Sequence, residues 1–300
     1  MINVLVFGAS GSVGQATAIE ARRRGAKVWL AMRDINKAVK KLDEDEKKGG
    51  YERIQADLSE PSTLTAAVKK SGATAAFLYT IWDSPDSMKS TFEALKGAGI
   101  VYLVLLSSSA VQDPLSLTDM TEMVPRVHAQ TEMALEETGG LRAAVLRPGY
   151  FSSNLFMYAQ GVQQGVVEVF RPKAVFDFVV PDDIGAVAGS LLVTRSQDGV
   201  VLVNGPELME LQEALGVIGR ACGKTVDVRE IDEATFLEQI SFVPKVIATS
   251  LVATNKAHDT NGRGMYPKHS ETVANVEKVT DRAAIKLSTW AEGAKSAFAG

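Results

Sequence analysis

The chain has 300 residues, 46% of them hydrophobic and 23% charged, with a formal net charge of −4. This balance suits a folded chain long enough to bury a large core, and it excludes broad electrostatic attraction to nucleic acid or to an anionic membrane surface. One cysteine, Cys222, excludes an intrachain disulfide, and three scattered histidines outside any HExxH pattern leave no metal motif, so no metal is expected.

In chain order, the first half alternates apolar strand-like runs with helical patterns. Strands are expected at residues 2–7, 27–32, 51–56, 73–79, 100–106 and 142–146. Helices are expected at 12–24, 35–42, 62–70, 87–97 and 127–137, the fourth ending at Gly97 or Gly99. Strands apolar on both faces, alternating with helices, imply a parallel sheet covered on both sides, an α/β doubly wound (Rossmann) fold. After Pro148 helical patterns dominate, at 155–165, 183–194, 207–222 and 233–251, with short strands near 174–180, 200–203 and 226–231. The stretch 257–272 carries Gly, Pro, His and Asn and reads as a long loop. The expected division is a dinucleotide-binding part at 1–150 and a smaller, mostly helical substrate-side part at 151–300, with segments near 174–204 returning to the sheet. No apolar run is long enough to span a bilayer, so no membrane association is expected. No leader-like segment precedes the first strand, and the expected location is cytoplasmic.

The first strand runs into GASGSVG at residues 8–14, with Gly8, Gly11 and Gly14 three apart. Glycine lets a strand turn sharply into a helix, and backbone without Cβ atoms lets a diphosphate approach the free N–H groups of the helix start. Ser10 and Ser12 add hydroxyls, and Val13 opens the helix beside them. At the start of a strand–helix–strand unit this pattern points to a dinucleotide. The second strand ends in Arg33 and Asp34. A guanidinium there suits the 2′-phosphate of NADP, so NADP(H) is the expected cofactor; Asp34 keeps NAD(H) possible, although a cap on the next helix explains it as well. Asp57 and Leu58 end the third strand, near the adenine. Tyr79, Thr80 and Ile81 end the fourth, and Ser107 and Ser108 the fifth, at the same sheet edge. Asp182 and Asp183 read as caps for the helix beginning at Ile184.

None of the six tyrosines has lysine four residues on, so the Tyr-x-x-x-Lys engine of the short-chain dehydrogenase/reductase superfamily is missing. The chain instead resembles the atypical NmrA-like branch of that superfamily. GASGSVG, MRDINKA at 32–38, ADL at 56–58, LRPGYFSSN at 146–154, VVPDDIGAVA at 179–188 and NGPE at 204–207 carry the likeness, over roughly residues 1–224. That resemblance implies either an NADPH-dependent reductase of quinones, enones or related conjugated carbonyls, or a non-catalytic NADP(H) sensor acting through a protein partner. His-x-x-Thr-Glu at 128–132 is similar to the quinone-reductase-like variant and sets His128 near the nicotinamide ribose, as proton donor or as a hydrogen-bonding partner. Glu132, one turn on, reads as facing water, with orienting Thr131 or His128 as the alternative. Gly149, Tyr150 and Phe151 would wall the nicotinamide, with Tyr150 the second candidate catalytic residue, and Arg147 reads as a structural ion-pair partner. Trp82, Phe156, Met157, Tyr158, Phe170, Phe176, Phe236, Phe242 and Tyr266 are candidates to enclose a small apolar or aromatic substrate.

Overall fold

The computed structural model describes residues 2–39 and 42–299. Its strands are β1 (Asn3–Phe7), β2 (Lys27–Met32), β3 (Glu52–Gln55), β4 (Ala75–Tyr79), β5 (Tyr102–Leu106), β6 (Arg142–Pro148), β7 (Val166–Phe170), β8 (Val175–Phe176), β9 (Gly199–Val203), β10 (Met209–Glu210) and β11 (Asp227–Ile231). Seven make one sheet in the order β3-β2-β1-β4-β5-β6-β9. Every pairing in it is parallel, with Val6 between Leu30 and Phe77. The order reverses between β1 and β4, which opens a crevice at the carboxyl ends of these strands.

The first-half helices are α1 (Ser12–Arg23), α2 (Asp43–Lys47), α3 (Pro61–Ser71), α4 (Lys89–Ala98) and α5 (Met123–Thr138). The strands alternate their buried residues between two faces. Val4, Val6, Val28, Leu30 and Phe77 meet α1 and α7 (Pro181–Thr194) on one side, by way of Ala18, Ile184, Val187 and Leu191. Leu5, Phe7, Leu78, Leu103 and Leu105 meet α3, α4 and α5 on the other, by way of Leu64, Phe92 and Leu135. A two-residue period on each strand thus builds both layers of core. Close contact between α1 and α7 depends on two glycines. A Cβ on Gly185 would lie 2.3 Å from that of Ala16, and one on Gly189 would lie 2.6 Å from the carbonyl oxygen of Thr17.

Between β6 and α7, and beyond it, come α6 (Ala159–Gln164), α8 (Leu211–Ala221), α9 (Glu233–Gln239), α10 (Lys245–Asn261), α11 (His269–Thr272), α12 (Ala274–Thr280), α13 (Leu287–Ala294) and α14 (Ser296–Ala299). A third core gathers Leu155, Val162, Val167, Phe176, Leu215, Leu287 and Phe298. Two small pairings stand apart from the main sheet, β8 antiparallel with β10 and β7 parallel with β11. No helix among the described residues is long and apolar enough to cross a membrane.

Several expectations need correction. The helix expected at 35–42 is absent from 35–39, and residues 40 and 41 lie outside the described residues. Asp34 Oδ1 accepts from Asn36 N at 2.9 Å, and Arg53 Nη1 donates to the carbonyls of Ile35 (2.5 Å) and Lys37 (2.8 Å), which holds the segment as a turn. The helix expected from 87 begins at Lys89, because Ser87 and Met88 have φ of 54° and 70°. The helix expected at 155–165 begins as a 3₁₀ turn, Ser152–Tyr158, and β7 follows where no strand was expected. The strand expected at 174–180 contracts to β8 and a lone bridge between Phe151 and Val179. The helix expected at 207–222 yields its start to β10, and a Glu210–Glu213 capping box opens α8. Pro244 splits the helix expected at 233–251 into α9 and α10. The supposed loop at 257–272 is the end of α10, a 3₁₀ turn (Gly262–Met265) and α11.

Candidate functional site

The glycine turn lies where the sheet order reverses. Gly8 has φ +70° and its N-terminal helix neighbour Gly11 donates to the Gly8 carbonyl at 2.9 Å. A Cβ on Gly14 would sit 2.2 Å from that same carbonyl oxygen, so only glycine lets α1 start this close to β1. No side chain caps α1, and its first turn holds no acidic residue. Ser10, Gly11 and Ser12 are exposed while Val13 is buried in the core, so Val13 offers only its main chain. The result is an exposed, uncapped helix N-terminus with partial positive charge, the backbone form of an anion site.

Three strand ends converge beside it. Arg33 is exposed and forms no ion pair among the described residues. The phenol of Tyr79 is raised above its usual pKa mainly by burial, while the Arg33 charge lowers it and the Asp57 charge raises it. Asp57 Oδ1 is bound by Ser59 N (3.0 Å) and Ser59 Oγ (2.7 Å), a local turn; α3 takes Glu60 as its N-cap, with Pro61 first in the helix. Leu58 is 3% exposed and its side chain belongs to the core, leaving its main chain to border any ligand.

At the ends of β4 and β5, Thr80 Oγ1 donates to the Leu106 carbonyl (3.3 Å) and Ile81 N faces Met88 Sδ (3.2 Å). Ser108 Oγ accepts from Ala110 N at 3.2 Å. Ser107 is buried and its hydroxyl donates to Glu132 Oε1. Here the expectation for Glu132 is overturned: it does not face water. Its carboxylate takes both Nε (3.1 Å) and Nη2 (2.6 Å) of Arg147, whose Nη1 holds Asp113 at 2.9 Å. Arg147 is the structural partner expected of it. Asp183 is likewise no helix cap. It is fully buried inside α7, paired with Arg282 Nη1 (2.5 Å), and accepts from Ile285 N (2.7 Å).

His128 stands on α5 with its ring edge-on to Trp82, centroids 6.2 Å apart. Its Nδ1 is buried and has no hydrogen-bond partner among the described residues. Burial brings its pKa down to about 4, so at pH 7 it is a neutral imidazole, able to donate once and accept once.

Past β6, a Cβ on Gly149 would meet Asp177 Oδ2 at 2.0 Å. Tyr150 N donates to Asp177 Oδ1 at 2.7 Å, and Phe151 packs against the first core. The Tyr150 ring stacks on Phe176 (4.1 Å) and meets Phe178 edge-on (5.7 Å). Burial pushes its phenol up to about 12, against a smaller opposing effect of Asn154. Tyr266 joins this group, its hydroxyl 3.3 Å from Asp177 Oδ1. Tyr158 and Phe176 share the third core. Other residues expected to enclose substrate lie elsewhere. Phe170 stacks with Phe236 in a separate cluster, Phe156 stacks with Phe298, and Phe242 is 81% exposed. Asp177 is the residue that sequence reasoning missed. Only Gly149 and Gly205 hint at it, since a Cβ at either would strike it.

The chain and its fold are similar to known proteins. A family model described as the NmrA-like family matches residues 2–293. Nitrogen metabolite regulation-like protein bik4 of Gibberella fujikuroi is 35% identical, over 94% of this chain and 93% of that protein. The (4-alkanoyl-5-oxo-2,5-dihydrofuran-3-yl)methyl phosphate reductase of Streptomyces griseus is 26% identical, over 99% of each chain. The NADPH-dependent quinone oxidoreductase QOR2 of Escherichia coli, solved in complex with NADPH, superposes with a TM-score of 0.73 at 18% identity, over 98% of this chain and 99% of that one. On the family match and the relative at 35% identity, this chain belongs to the NmrA-like family.

Proposed function

We propose that the chain is a cytoplasmic NADP(H)-dependent oxidoreductase that reduces a quinone, an enone or a related conjugated carbonyl. One observation carries the reading: an uncapped helix N-terminus, pressed on β1 by a glycine that admits no Cβ, with the Arg33 guanidinium, in no ion pair among the described residues, at the end of the next strand. Main-chain amides at the start of α1, with Ser10 and Ser12, would hold the diphosphate. Arg33 would hold the 2′-phosphate through its planar fork, and Asp57, Leu58 and Tyr79 would border the adenine. Thr80, Ile81, Ser107, Ser108, His128, Gly149, Tyr150 and Phe151 would border the nicotinamide half. In this reading residues 1–150 hold the cofactor and 151–300 mainly the substrate side.

Bound there, NADPH supplies a hydride, and a quinone taking it up needs one proton to become a hydroquinone. The residues of this chain bind and orient rather than ionise. His128, already neutral at pH 7, offers a hydrogen bond to a ribose hydroxyl and satisfies its orphaned Nδ1 or the opposite nitrogen. Tyr150 keeps its proton and serves as a wall and fixed donor, so the required proton comes from water. The reductase relative and the solved quinone oxidoreductase support this reading.

The test is purified protein mixed with NADPH and a panel of quinones, enones and aldehydes, following loss of the reduced-nicotinamide absorbance. Turnover of a quinone or enone is the expected result. Silence across the panel with NADP binding intact would turn the reading into a sensor of cofactor occupancy acting through a protein partner. Absence of calorimetric heat with either nucleotide would refute both.

A further inference from the structure

We propose that β11 is an association edge on which a second copy of this chain docks, antiparallel, about a two-fold axis at Val228. Among the described residues β11 pairs with β7 alone, so one side of the strand has no strand beside it. Asp227 N donates to the Gly165 carbonyl at 2.9 Å, on the β7 side. Main-chain groups alternate along a strand, so the N–H and C=O of Val228 and Glu230 point to the unpaired side. Such groups are a template for another strand. A groove of about 650 Å³ lies between β11 and α8, lined by Met209, Gly216, Val217, Arg220, Val226 and Val228. A Cβ on Gly216 would meet only Arg220 Nη1, at 3.5 Å, so the groove is open at that point.

Charge selects a second copy as the occupant. Val226 and Val228 pack against the third core, while Asp227 and Arg229 share the outer face, Nε to Oδ2 2.9 Å apart. Charges on an edge ordinarily discourage pairing. Those of β11 are complementary to their own reverse. Two copies related by a two-fold axis hydrogen-bond only where outward-pointing residues oppose each other, so the axis must pass through a residue. An axis at Asp227, Arg229 or Glu230 sets that charge against itself, and one at Ile231 sets Glu230 against Asp232. An axis at Val228 sets Asp227 against the partner's Arg229, and Arg229 against the partner's Asp227. These are the pairs without hydrogen bonds between them, where side chains approach most closely. The same register brings the partner's Glu230 opposite Val226. Val226 packs on α8 at Gly219, where an added Cβ would lie 2.6 Å from its Cγ2, and Arg220 is the next residue. Arg220 and Glu230 form no ion pair among the described residues, so the pairing supplies each with a counterion. Glu213, also on the groove, is held by Glu210 N at 2.9 Å in the capping box, at the other end of α8.

The experiment is analytical ultracentrifugation of the full chain over a wide range of concentration. The wild type should show a reversible monomer–dimer equilibrium, since a five-residue edge makes a small interface. Arg229→Asp and Asp227→Arg each set like charges face to face twice, and each should weaken the dimer by about tenfold or more. Mixed together, the two variants should recover that loss as a heterodimer, because each Asp of one then faces an Arg of the other. The pair within each chain is as broken in the mixture as in either variant alone, so the recovery can come only from pairing between chains. The double variant, Asp227→Arg with Arg229→Asp, keeps a pair within the chain and should dimerise like the wild type. A wild type that stays monomeric at every concentration would overturn the inference, a result that needs no variant to fold. So would a dimer indifferent to either reversal, or a mixture that associates no more tightly than its components. Each outcome is independent of NADP(H) binding and turnover, so the reductase reading stands or falls apart from it.

Discussion

Glu132→Ala is the substitution whose cost follows most directly from the contacts. It leaves Arg147, whose side chain is 2% exposed, with only Asp113, whose side chain is 65% exposed. Removing one partner of a buried pair costs about 3–5 kcal/mol, since the other charge stays out of water without compensation. Asp113 moderates this, while the Ser107 hydroxyl loses its acceptor at a further cost of about 1 kcal/mol. The net expectation is about 4 kcal/mol. For a chain of this size about 2 °C is lost per kcal/mol, so the melting temperature should fall by about 8 °C. Scanning calorimetry on wild type and variant measures it, with urea denaturation as a second probe. Glu132→Leu combined with Arg147→Met should recover most of the loss, because two apolar groups leave no buried charge. A fall of less than about 2 °C for the single variant, or a double variant worse than the single, would show that the pair is not the buried anchor described here.

Further expectations follow from the same geometry. Gly14→Ala drives a methyl onto the Gly8 carbonyl, so it should cost about 1–3 kcal/mol of stability and abolish measurable NADP(H) binding; a variant that binds normally by calorimetry would remove the cradle. Arg33→Ala should weaken NADPH by about 1–3 kcal/mol and leave NADH nearly unchanged, and equal losses for both would end the NADP assignment. His128 has a folded pKa lowered by burial to about 4, below the usual imidazole value of about 6.5, so its contribution to stability is present above pH 6.5 and is lost as pH falls toward 4. At about 1.4 kcal/mol per pH unit the loss reaches roughly 3 kcal/mol, and His128→Phe should flatten the stability profile across that window in urea melts.

The Rossmann half was readable because its signals are local. β1, β2 and β5 fall within a residue or two of their apolar runs, and the glycine spacing announces its turn. Failures arose where a residue answers to a distant partner. Glu132 sits on a helix face that reads as polar, yet its guanidinium partner comes from the next strand, 15 positions later. Asp177 meets donors 27, 28 and 89 positions away, and no periodicity encodes that meeting. The helix expected at 35–42 gives way to a turn at 34–39 through side-chain competition from Asp34 and Arg53, which propensity does not register. Residues 257–272 misled through composition: the glycine and proline there punctuate short helices instead of replacing them.

The bare glycines of α7 have a consequence at the far end of α1. Helix α7 serves as a rest on which α1 is sighted, and the amides at the muzzle point wherever that rest directs them. A methyl at Gly185 would press on Ala16, on Thr17 N and on the Val13 carbonyl, and so tip α1 from its seat on the sheet. Such a variant would show feeble nucleotide affinity with every contact residue intact, and a survey that ranks positions by nearness to the ligand would pass it over.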